Sequence, residues 1–284
     1  MKKIAVLGSG LLGGSIALAT QKRLSDTCVT LWGRRETAIT EASACGIKEA
    51  TTDLKTAVNG AQIIILASPV GAMLEIIQAV SDLSPLEGVI VTDVGSVKLT
   101  PRDTLEQVVK DAGAKYIGSH PMAGSEQTGV GAASEDLFEG AACVMTNDFA
   151  HPESDVSLLW SFWESLGCHC HLISSEEHDS VMARISHLPH MIASIGALVG
   201  LKTPSNGKFA GNGMRDTTRV ASGHAGMWAE ILIRNRSALK IPIEETISYL
   251  SQMLFMLENN DEEGITHLLQ QAKELRDDLT RQVS

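Results

Sequence analysis

The sequence has few aromatic residues and no long apolar run. Phe, Trp and Tyr make up only 4% of its 284 residues, so its core must consist mainly of aliphatic side chains. No apolar stretch reaches the ~18 residues that a membrane-spanning helix needs, and the start of the chain does not have the pattern of a signal peptide. We therefore expect a globular, cytoplasmic protein with no membrane partner.

Positive charge is also scarce. The chain has 34 Asp and Glu residues against 23 Lys and Arg residues, which gives a formal net charge of −11. This excess of negative charge disfavours binding to nucleic acids and to anionic membrane surfaces. We expect no nucleic-acid partner, and an anionic substrate would need a local group of cations.

The cysteines are few and show no framework for disulfides. Their odd number favours free thiols in a reducing compartment. They are Cys28, Cys45, Cys143, Cys168 and Cys170. The run from Cys168 to His171 resembles a metal site, but its apolar continuation predicts a strand, in which neighbouring side chains point to opposite faces. We therefore expect no metal site.

The first motif is a glycine-rich turn between a short apolar strand, Ile4-Ala5-Val6-Leu7, and a helix that includes Ile16. A strand, G-x-G-x-x-G and a helix in this order are typical of dinucleotide-binding domains. The glycines permit a tight turn and a close approach of the pyrophosphate to the helix N-terminus. The predicted cofactor contacts in this turn are Gly8, Ser9, Gly10, Leu11, Leu12 and Gly13.

The end of the second predicted strand, Val29-Thr30-Leu31-Trp32, favours NADP over NAD. NAD enzymes usually carry a carboxylate here to bind the ribose 2′-hydroxyl. This chain has Gly33 followed by Arg34 and Arg35, and guanidinium groups can bind a 2′-phosphate through two hydrogen bonds. We expect NADP to be preferred, with Arg34 as the main ligand, and NAD to be possible.

Strand and helix patterns continue to alternate up to residue 173, which predicts a doubly wound parallel sheet. In such a sheet the carboxyl ends of the strands share one edge, where ligands bind. Ser68 and Pro69 follow one strand, and Val94 and Gly95 follow the next. Thr100 is expected to cap the helix that comes after. Later strands are predicted over residues 142–146 and 170–173.

The segment from Gly118 to Glu126 carries the strongest candidate for acid–base chemistry. It follows the strand-like pair Tyr116-Ile117 and contains His120 directly before Pro121. The proline predicts an irregular backbone around the histidine, as is common for catalytic residues. His is suited to proton transfer near neutral pH, so we interpret His120 as a general base.

The pattern becomes helical after residue 173, which predicts two domains, 1–173 and 174–284. A capping box, Ser174 with Glu177, opens the first helix. That helix should place Asp179 and His190 on one face and kink at Pro189. A polar loop is expected over 211–219. Amphipathic helices are expected over 244–258 and 262–279, with enough apolar surface for a homodimer interface.

Taken together, these motifs resemble the prephenate/arogenate dehydrogenase family of tyrosine biosynthesis. The resemblance runs nearly from end to end. It rests on the segments 8–15, 93–98, 118–126, 177–179, 186–190 and 215–219, and on Met227-Trp228. It implies an N-terminal Rossmann domain, a C-terminal helical dimerisation domain, and oxidative decarboxylation of prephenate to 4-hydroxyphenylpyruvate with hydride transfer to NADP or NAD.

The resemblance also implies roles for individual residues. His120 would accept a hydrogen bond from the substrate hydroxyl, with Ser96 assisting near the nicotinamide. Arg219 would bind the ring carboxylate. The remaining candidates for the substrate pocket are His190, Trp228, Glu126, Ser119, Arg215 and Asp179.

Other functions stay open at this point. Arogenate differs from prephenate only in carrying an amine in place of the side-chain keto group. A β-hydroxyacid dehydrogenase or an imine reductase would share the architecture, but would be expected to use a Lys or Asp of the helical domain in place of His120. A non-catalytic NADP-sensing module would not need the polar set of His120, Ser96 and Arg219.

Overall fold

The computed structural model of the chain describes residues 2–83, 85–125 and 127–283. These residues form two compact units, which are divided in the sequence between Arg236 and Ser237. The boundary predicted between residues 173 and 174 rests on the change from alternating to helical patterns, and it stays a prediction.

A parallel sheet organises the larger unit. Its strands are β1 (Lys3–Leu7), β2 (Cys28–Trp32), β3 (Ala50–Thr51), β4 (Ile63–Leu66), β5 (Ile90–Asp93) and β6 (Lys115–Tyr116). The helices between them are α1 (Leu11–Arg23), α2 (Glu36–Ala44), α3 (Leu54–Val58), α4 (Val70–Ser81) and α5 (Leu99–Asp111). The strand order is β3-β2-β1-β4-β5-β6, which is that of a dinucleotide-binding sheet and confirms the predicted Rossmann-type fold.

Apolar sequence in the central strands explains why helices cover both faces of this sheet. Ile4 and Val6 belong to one apolar cluster, whereas Ala5 and Leu7 belong to a second. Side chains alternate between the two faces of a strand, so the clusters are the cores on either side of the sheet. Burial on both faces is typical of parallel strands with helical connections.

A second, three-stranded sheet follows, where the sequence predicted only further strands of one doubly wound sheet. It consists of β7 (Gly118–Pro121), β8 (Ala142–Thr146) and β9 (His169–Ile173), with α6 (Glu153–Ser165) between β8 and β9. β7 is antiparallel to β8, and β8 is parallel to β9. These three strands pair with one another and form a sheet separate from the six-stranded one.

The backbone around His120 is regular, which corrects the prediction of an irregular loop. His120 lies in β7 and pairs with Val144 of β8. Pro121 is the last residue of the strand, a position at which its missing N–H is tolerated. The proline therefore marks the end of a strand and not a loop.

The first C-terminal helices differ from the continuous helix predicted through Pro189. They are α7 (Ser175–Met182) and α8 (Leu188–Gly200), with a π-helix (Ala183–His187) between them. The cap is confirmed, because the Ser174 hydroxyl accepts a hydrogen bond from the Glu177 N–H at 3.1 Å. The helical hydrogen-bond pattern changes in the turn before Pro189, which has no N–H to donate.

Two further helices complete the larger unit. They are α9 (Asn212–Thr218) and α10 (Ala225–Arg234). The segment 211–219 was predicted as a polar loop, but α9 and the start of a 3-10 turn (Arg219–Ser222) form most of it. His224 caps α10, because its Nδ1 accepts a hydrogen bond from the Met227 N–H at 3.1 Å.

The smaller unit consists of two long helices, α11 (Arg236–Glu258, whose first residue ends the larger unit) and α12 (Glu262–Val283). Both were predicted, and the end of the first and the start of the second agree with the sequence pattern. Large apolar side chains are exposed on α11, namely Ile247, Tyr249, Leu250, Leu254, Phe255 and Leu257. In the described part of the chain, no helix combines the length and apolar character needed to cross a membrane.

Candidate active site

The glycine-rich turn after β1 is packed too tightly for a side chain at two of its three glycines. Gly8 has a φ of +141°, and a Cβ there would lie 2.2 Å from the carbonyl oxygen of Ala67. A Cβ on Gly13 would lie 1.8 Å from the carbonyl oxygen of Gly8, whereas one on Gly10 would meet nothing within 4 Å. This geometry fits a cofactor pyrophosphate, which the N–H groups and partial positive charge at the start of α1 would hold.

The other predicted cofactor residues gather at the same edge of the sheet. They are Ser9, Leu11 and Leu12 in and beside the turn, Ser68 and Pro69 after β4, and Val94 and Gly95 after β5. Parallel strands present their carboxyl ends along one edge, which explains why residues far apart in sequence meet there.

Gly33 brings the end of β2 against this turn. A Cβ on Gly33 would lie 2.5 Å from Oγ of Ser9, so any larger residue would require Ser9 to shift. Arg34 and Arg35 follow at once and are exposed. Two guanidinium groups are therefore present at the strand end where the ribose of a dinucleotide binds in this fold.

His120 begins a chain of three buried side chains. Its Nδ1 lies 2.8 Å from Nε2 of His178, and Nδ1 of His178 lies 2.8 Å from Oδ1 of Asp179. All three residues are buried, with His178 at 0% and Asp179 at 1% exposure. His178 belongs to the segment 177–179, which was singled out in the sequence, but no role was predicted for it.

The surroundings of His120 keep it uncharged. Burial lowers the pKa of its imidazole well below the ordinary value of 6.5, and His178, Lys98 and His187 lower it further. Burial also lowers the pKa of His178, although Asp179 opposes this shift. A neutral imidazole has a lone pair, so His120 can accept a proton at neutral pH.

Asp179 connects the row of His120, His178 and Asp179 to the start of helix α5. Its Oδ1 accepts a hydrogen bond from the Lys98 N–H at 2.7 Å, and its Oδ2 accepts one from the Leu99 N–H at 3.1 Å. Asp179 thus caps α5 from another element, and Thr100, the predicted cap, lies inside the helix. Asp179 was predicted to bind substrate, but the structure engages both of its oxygens with protein groups.

A buried ion pair holds the loop between β5 and α5. Lys98 and Asp93 are fully buried, and Nζ of Lys98 pairs with Oδ2 of Asp93. Oδ1 of the same carboxylate accepts a hydrogen bond from the Tyr116 hydroxyl at 2.7 Å. Burial and the Asp93 charge raise the pKa of Tyr116 well above its ordinary value, so the phenol stays a donor. The loop that carries Ser96 is therefore anchored at both ends.

His190 and Trp228 stack, as the resemblance implied for neighbours in one pocket. Their ring centroids lie 3.6 Å apart with an interplanar angle of 18°. His187 meets the same indole edge-on at 6.3 Å. Burial lowers the pKa of His187 to about 4, and the Ser96 carbonyl faces this ring.

Asn235 connects His187 to Asp179, and sequence reasoning did not identify it. Its Nδ2 lies 2.9 Å from Nδ1 of His187 and donates a hydrogen bond to the Asp179 carbonyl at 2.8 Å. An amide NH₂ has only protons to offer, so Nδ1 of His187 is the acceptor. The described structure gives no direct contact between Asp179 and His190, and the π-helix between them changes the spacing on which their predicted common face depended.

Ser119 lies away from the face that carries His120. Consecutive side chains of a strand point to opposite sides, and the Ser119 hydroxyl lies 2.9 Å from Oγ1 of Thr92. It also accepts a hydrogen bond from Nε1 of Trp163 at 3.0 Å, and the residue is fully buried. Its position suits packing between the two sheets better than the predicted contact with substrate.

The two predicted cationic ligands lie on neighbouring elements. Arg215 is exposed on α9, and Arg219 is exposed at the start of the 3-10 turn that packs against α8. Ser96 is partly buried in the loop after β5. Glu126, predicted at the mouth of the pocket, lies outside the described residues.

Helix α10 reaches the cofactor edge as well as the stacked rings. It carries Trp228 and, two residues later, Glu230, whose Oε1 accepts a hydrogen bond from the Gly71 N–H. Gly71 is the second residue of α4, the helix that begins directly after Ser68 and Pro69. One helix thus contacts the elements of both predicted ligand sites.

Comparisons with known proteins agree with this geometry. A family model described as the nucleotide-binding domain of prephenate dehydrogenase matches residues 16–172, and one described as its dimerization domain matches residues 174–271. The chain belongs to the prephenate dehydrogenase family. It is therefore an NAD(P)-dependent oxidoreductase.

Individual members of the family are similar over most of their length. The chain is 32% identical to a prephenate dehydrogenase of Lactococcus lactis over 282 residues, which is 97% of this chain and 77% of that protein. It is 32% identical to a cyclohexadienyl dehydrogenase of Zymomonas mobilis over 279 residues, covering 96% and 93%. The crystal structure of prephenate dehydrogenase from Aquifex aeolicus with hydroxyphenyl propionate and NAD+ has a TM-score of 0.88 at 29% identity, covering 98% of both chains.

Proposed function

We propose that this protein catalyses the oxidative decarboxylation of prephenate to 4-hydroxyphenylpyruvate, with transfer of a hydride to NADP, and that His120 is the general base. The observation that carries the proposal is a buried, uncharged imidazole, held by a His–Asp pair, a few residues beyond the carboxyl end of β6 in a dinucleotide-binding fold. Such a group is suited to remove a hydroxyl proton while a nicotinamide accepts the hydride.

The chemistry requires the protein mainly to position the ring. Hydride leaves the ring carbon that carries the hydroxyl group, and His120 takes the hydroxyl proton as the carbon–oxygen bond gains double-bond character. The ring carboxylate then departs as CO₂, its electrons enter the ring, and the oxygen regains a proton as the ring becomes aromatic. Aromatisation supplies driving force, so correct placement of the hydroxyl and the nicotinamide is the main demand on the protein.

The remaining predicted residues have distinct proposed roles. Arg219 binds the ring carboxylate, with Arg215 as a second cation near it. Ser96 assists His120 beside the nicotinamide, and Glu126 keeps its role from the resemblance as a contact to the substrate. His190 and Trp228 form the wall that their stacked rings suggest. Asp179 and Ser119 do not contact the substrate in this proposal, because their polar atoms bind protein groups.

NADP is the proposed cofactor because of the residues that follow β2. Gly33 places no carboxylate against a 2′-phosphate, and the exposed Arg34 and Arg35 can bind one. NAD remains a usable second cofactor, since both share the pyrophosphate that the Gly8–Gly13 turn would bind.

The proposed assembly is a homodimer formed through the helical part of the chain. The match to a dimerization-domain model and the exposed apolar side chains of α11 support this assembly. A cytoplasmic location stays a prediction from composition.

The first test is a direct comparison of substrates. Purified protein is supplied with NADP and either prephenate or arogenate, and NADPH and CO₂ are measured. We expect NADPH and CO₂ to form in equal amounts, and kcat/KM to be higher for prephenate than for arogenate. A higher value for arogenate would transfer the proposal to arogenate dehydrogenase, and no turnover of either compound would reject it.

The second test separates the base from the substrate ligand. His120→Asn should lower kcat by ~10²–10⁴-fold with little change in KM for prephenate, because it keeps a polar side chain but removes the base. Arg219→Ala should instead weaken substrate binding, by ~3–5 kcal/mol if the carboxylate is buried in the complex. A His120→Asn enzyme with nearly normal kcat would exclude His120 as the base.

A further inference from the structure

We propose that His178 and Asp179 are positioning residues that fix the tautomer of His120, so that Nε2 of His120 is the atom that receives the substrate proton. This inference rests on the proposed function of His120 as the base. It assigns a role to His178, which carries none in the sequence analysis, and replaces the predicted contact between Asp179 and substrate with an indirect one.

Asp179 sets the direction of the hydrogen bonds, because an ionised carboxylate can only accept them. Two backbone N–H groups of α5, those of Lys98 and Leu99, already donate to it. Nδ1 of His178 lies 2.8 Å from Oδ1 of the same carboxylate. This nitrogen must therefore carry the proton of the His178 ring.

The direction of the hydrogen bond between His178 and His120 then follows. A neutral His178 that is protonated at Nδ1 has its lone pair at Nε2, which lies 2.8 Å from Nδ1 of His120. His120 must donate to it through Nδ1–H. The remaining nitrogen of His120, Nε2, has the free lone pair that a base needs.

Burial prevents water from replacing these partners. His178 is 0% exposed and Asp179 is 1% exposed. The other titratable groups around the two rings are Lys98, Asp93 and His187, which come from the β5–α5 region and the π-helix. The Lys98 ammonium is paired with Asp93, and the pKa values of both imidazoles are lowered, so each ring carries a single proton at neutral pH.

The same chain supports the charge that develops during the reaction. As the hydride passes to the nicotinamide, the hydroxyl proton moves to Nε2 of His120, and the ring becomes an imidazolium. Its Nδ1–H still donates to Nε2 of His178, whose own Nδ1–H donates to the Asp179 carboxylate. In Ser-His-Asp enzymes an orienting carboxylate of this kind is worth ~10⁴-fold in kcat, mainly because its loss permits the wrong tautomer.

The decisive variants are His178→Leu and His178→Gln. Leucine fills part of the space but cannot accept the His120 proton, so kcat should fall ~10–10³-fold, with KM for prephenate and NADP changed less than about threefold. The side-chain carbonyl of glutamine can accept that proton, so His178→Gln should recover at least ~10-fold of the loss. His169→Leu, on the exposed side of β9, is the control and should keep the starting kcat.

A result in which His178→Leu keeps the starting kcat, or His178→Gln is as slow as His178→Leu, would overturn the inference. His120→Asn measured in parallel separates this failure from that of the proposed function. If His120→Asn remains active, the base assignment fails. If His120→Asn is inactive but His178→Leu is fully active, only the positioning role fails.

A spectroscopic measurement decides the question even if His178→Leu does not fold. The unaltered protein, labelled with ¹⁵N-histidine and saturated with NADP, is studied by NMR at neutral pH, and the His120→Asn spectrum identifies the His120 signals. We expect a protonated Nδ1 and an unprotonated Nε2. A proton on Nε2 in the resting protein would reject the proposal.

Discussion

Four buried histidines give the candidate site its chemical character. Burial lowers the pKa of His120, His178, His187 and His190, so the site holds several imidazoles and yet little positive charge. Neutral rings can be donors and acceptors at once, which allows the directed chain from Asp179 to His120. In the proposed function, the positive charge for an anionic substrate comes from the arginines of α9 and the following turn.

At the residue scale, Arg34 should decide the choice of cofactor. Arg34→Ala should raise KM for NADP more than tenfold, on the order of 2 kcal/mol for a charge-assisted pair, and leave KM for NAD nearly unchanged. Lys110→Ala removes an exposed cation from the last turn of α5 and should affect neither cofactor. Steady-state kinetics with both cofactors checks the prediction, and equal kcat/KM for NADP and NAD in the unaltered protein would contradict it.

The candidate site shows what sequence can predict for single residues. The glycines and His120 were singled out because each residue type suits one chemical task, whereas His190 and Trp228 were assigned to the pocket from the resemblance to the family. Ser119 was assigned to the substrate pocket from the resemblance, but it lies in β7, where the alternation of side chains turns it away from His120. Asn235 gave no signal, because its partners lie 48 and 56 positions away and belong to another helix.

At the scale of elements, the turn into α1 allows a test with matched glycines. Gly13→Ala adds a methyl group 1.8 Å from the Gly8 carbonyl oxygen, so the cofactor-free protein should lose ~1–3 kcal/mol of stability. This is a net loss, because the steric cost outweighs the ~1 kcal/mol that alanine gains over glycine in a helix. Unfolding in urea measures the difference.

Gly10→Ala provides the control in the same turn. Its methyl group meets nothing within 4 Å, and its φ of −92° suits alanine. Stability without cofactor should therefore stay within ~0.5 kcal/mol, while binding of NADP weakens because the methyl group occupies space beside the pyrophosphate. Equal destabilisation by both substitutions would show that the packing at Gly13 is not special.

The strands and helices were predicted more successfully than the caps and turns that connect them. Apolar runs and glycine turns specify the parallel strands, and amphipathic periodicity specifies α11 and α12. The π-helix was not predicted, because an extra residue in a helical turn has no pattern of its own. The cap of α5 was assigned to Thr100 from local sequence, whereas Asp179, 80 residues beyond Leu99, supplies it.

At the scale of the whole molecule, stability should fall in mild acid. A histidine with a lowered pKa in the folded chain binds fewer protons there than in the unfolded chain, so stability is present above about pH 6.5 and is lost below it. For His187 the loss extends from about 6.5 down to about 4 and amounts to on the order of 3 kcal/mol. His120 and His178 act in the same direction.

Urea unfolding at pH 7 and pH 5 tests this dependence. The unaltered protein should have a clearly lower midpoint at pH 5. His187→Gln should show a smaller drop, and His171→Gln, on the exposed side of β9, should show the same drop as the unaltered protein. An identical drop in all three proteins would remove His187 from the explanation.

The proposed dimer makes a prediction about mass. Light scattering at micromolar concentration should give about twice the 30.3 kDa of one chain. Leu250→Arg combined with Leu254→Arg should weaken the association, because both side chains are more than half exposed on α11 and apolar. Ser251→Arg on the same helix should have a smaller effect, and a monomeric unaltered protein would refute the proposal.

The position of α10 predicts that binding of the substrate and binding of the cofactor are energetically coupled. Its Trp228 stacks on His190, and its Glu230 holds the start of α4 beside the predicted cofactor loop. Any free energy that a bound nicotinamide nucleotide contributes to fixing α10 should therefore also favour the stacking of Trp228 on His190. Thermodynamic reciprocity then requires that the factor by which the cofactor tightens substrate binding equals the factor by which the substrate tightens cofactor binding. A substitution of Glu230, which does not contact the substrate in the proposed site, should consequently change the affinity of the protein for the substrate.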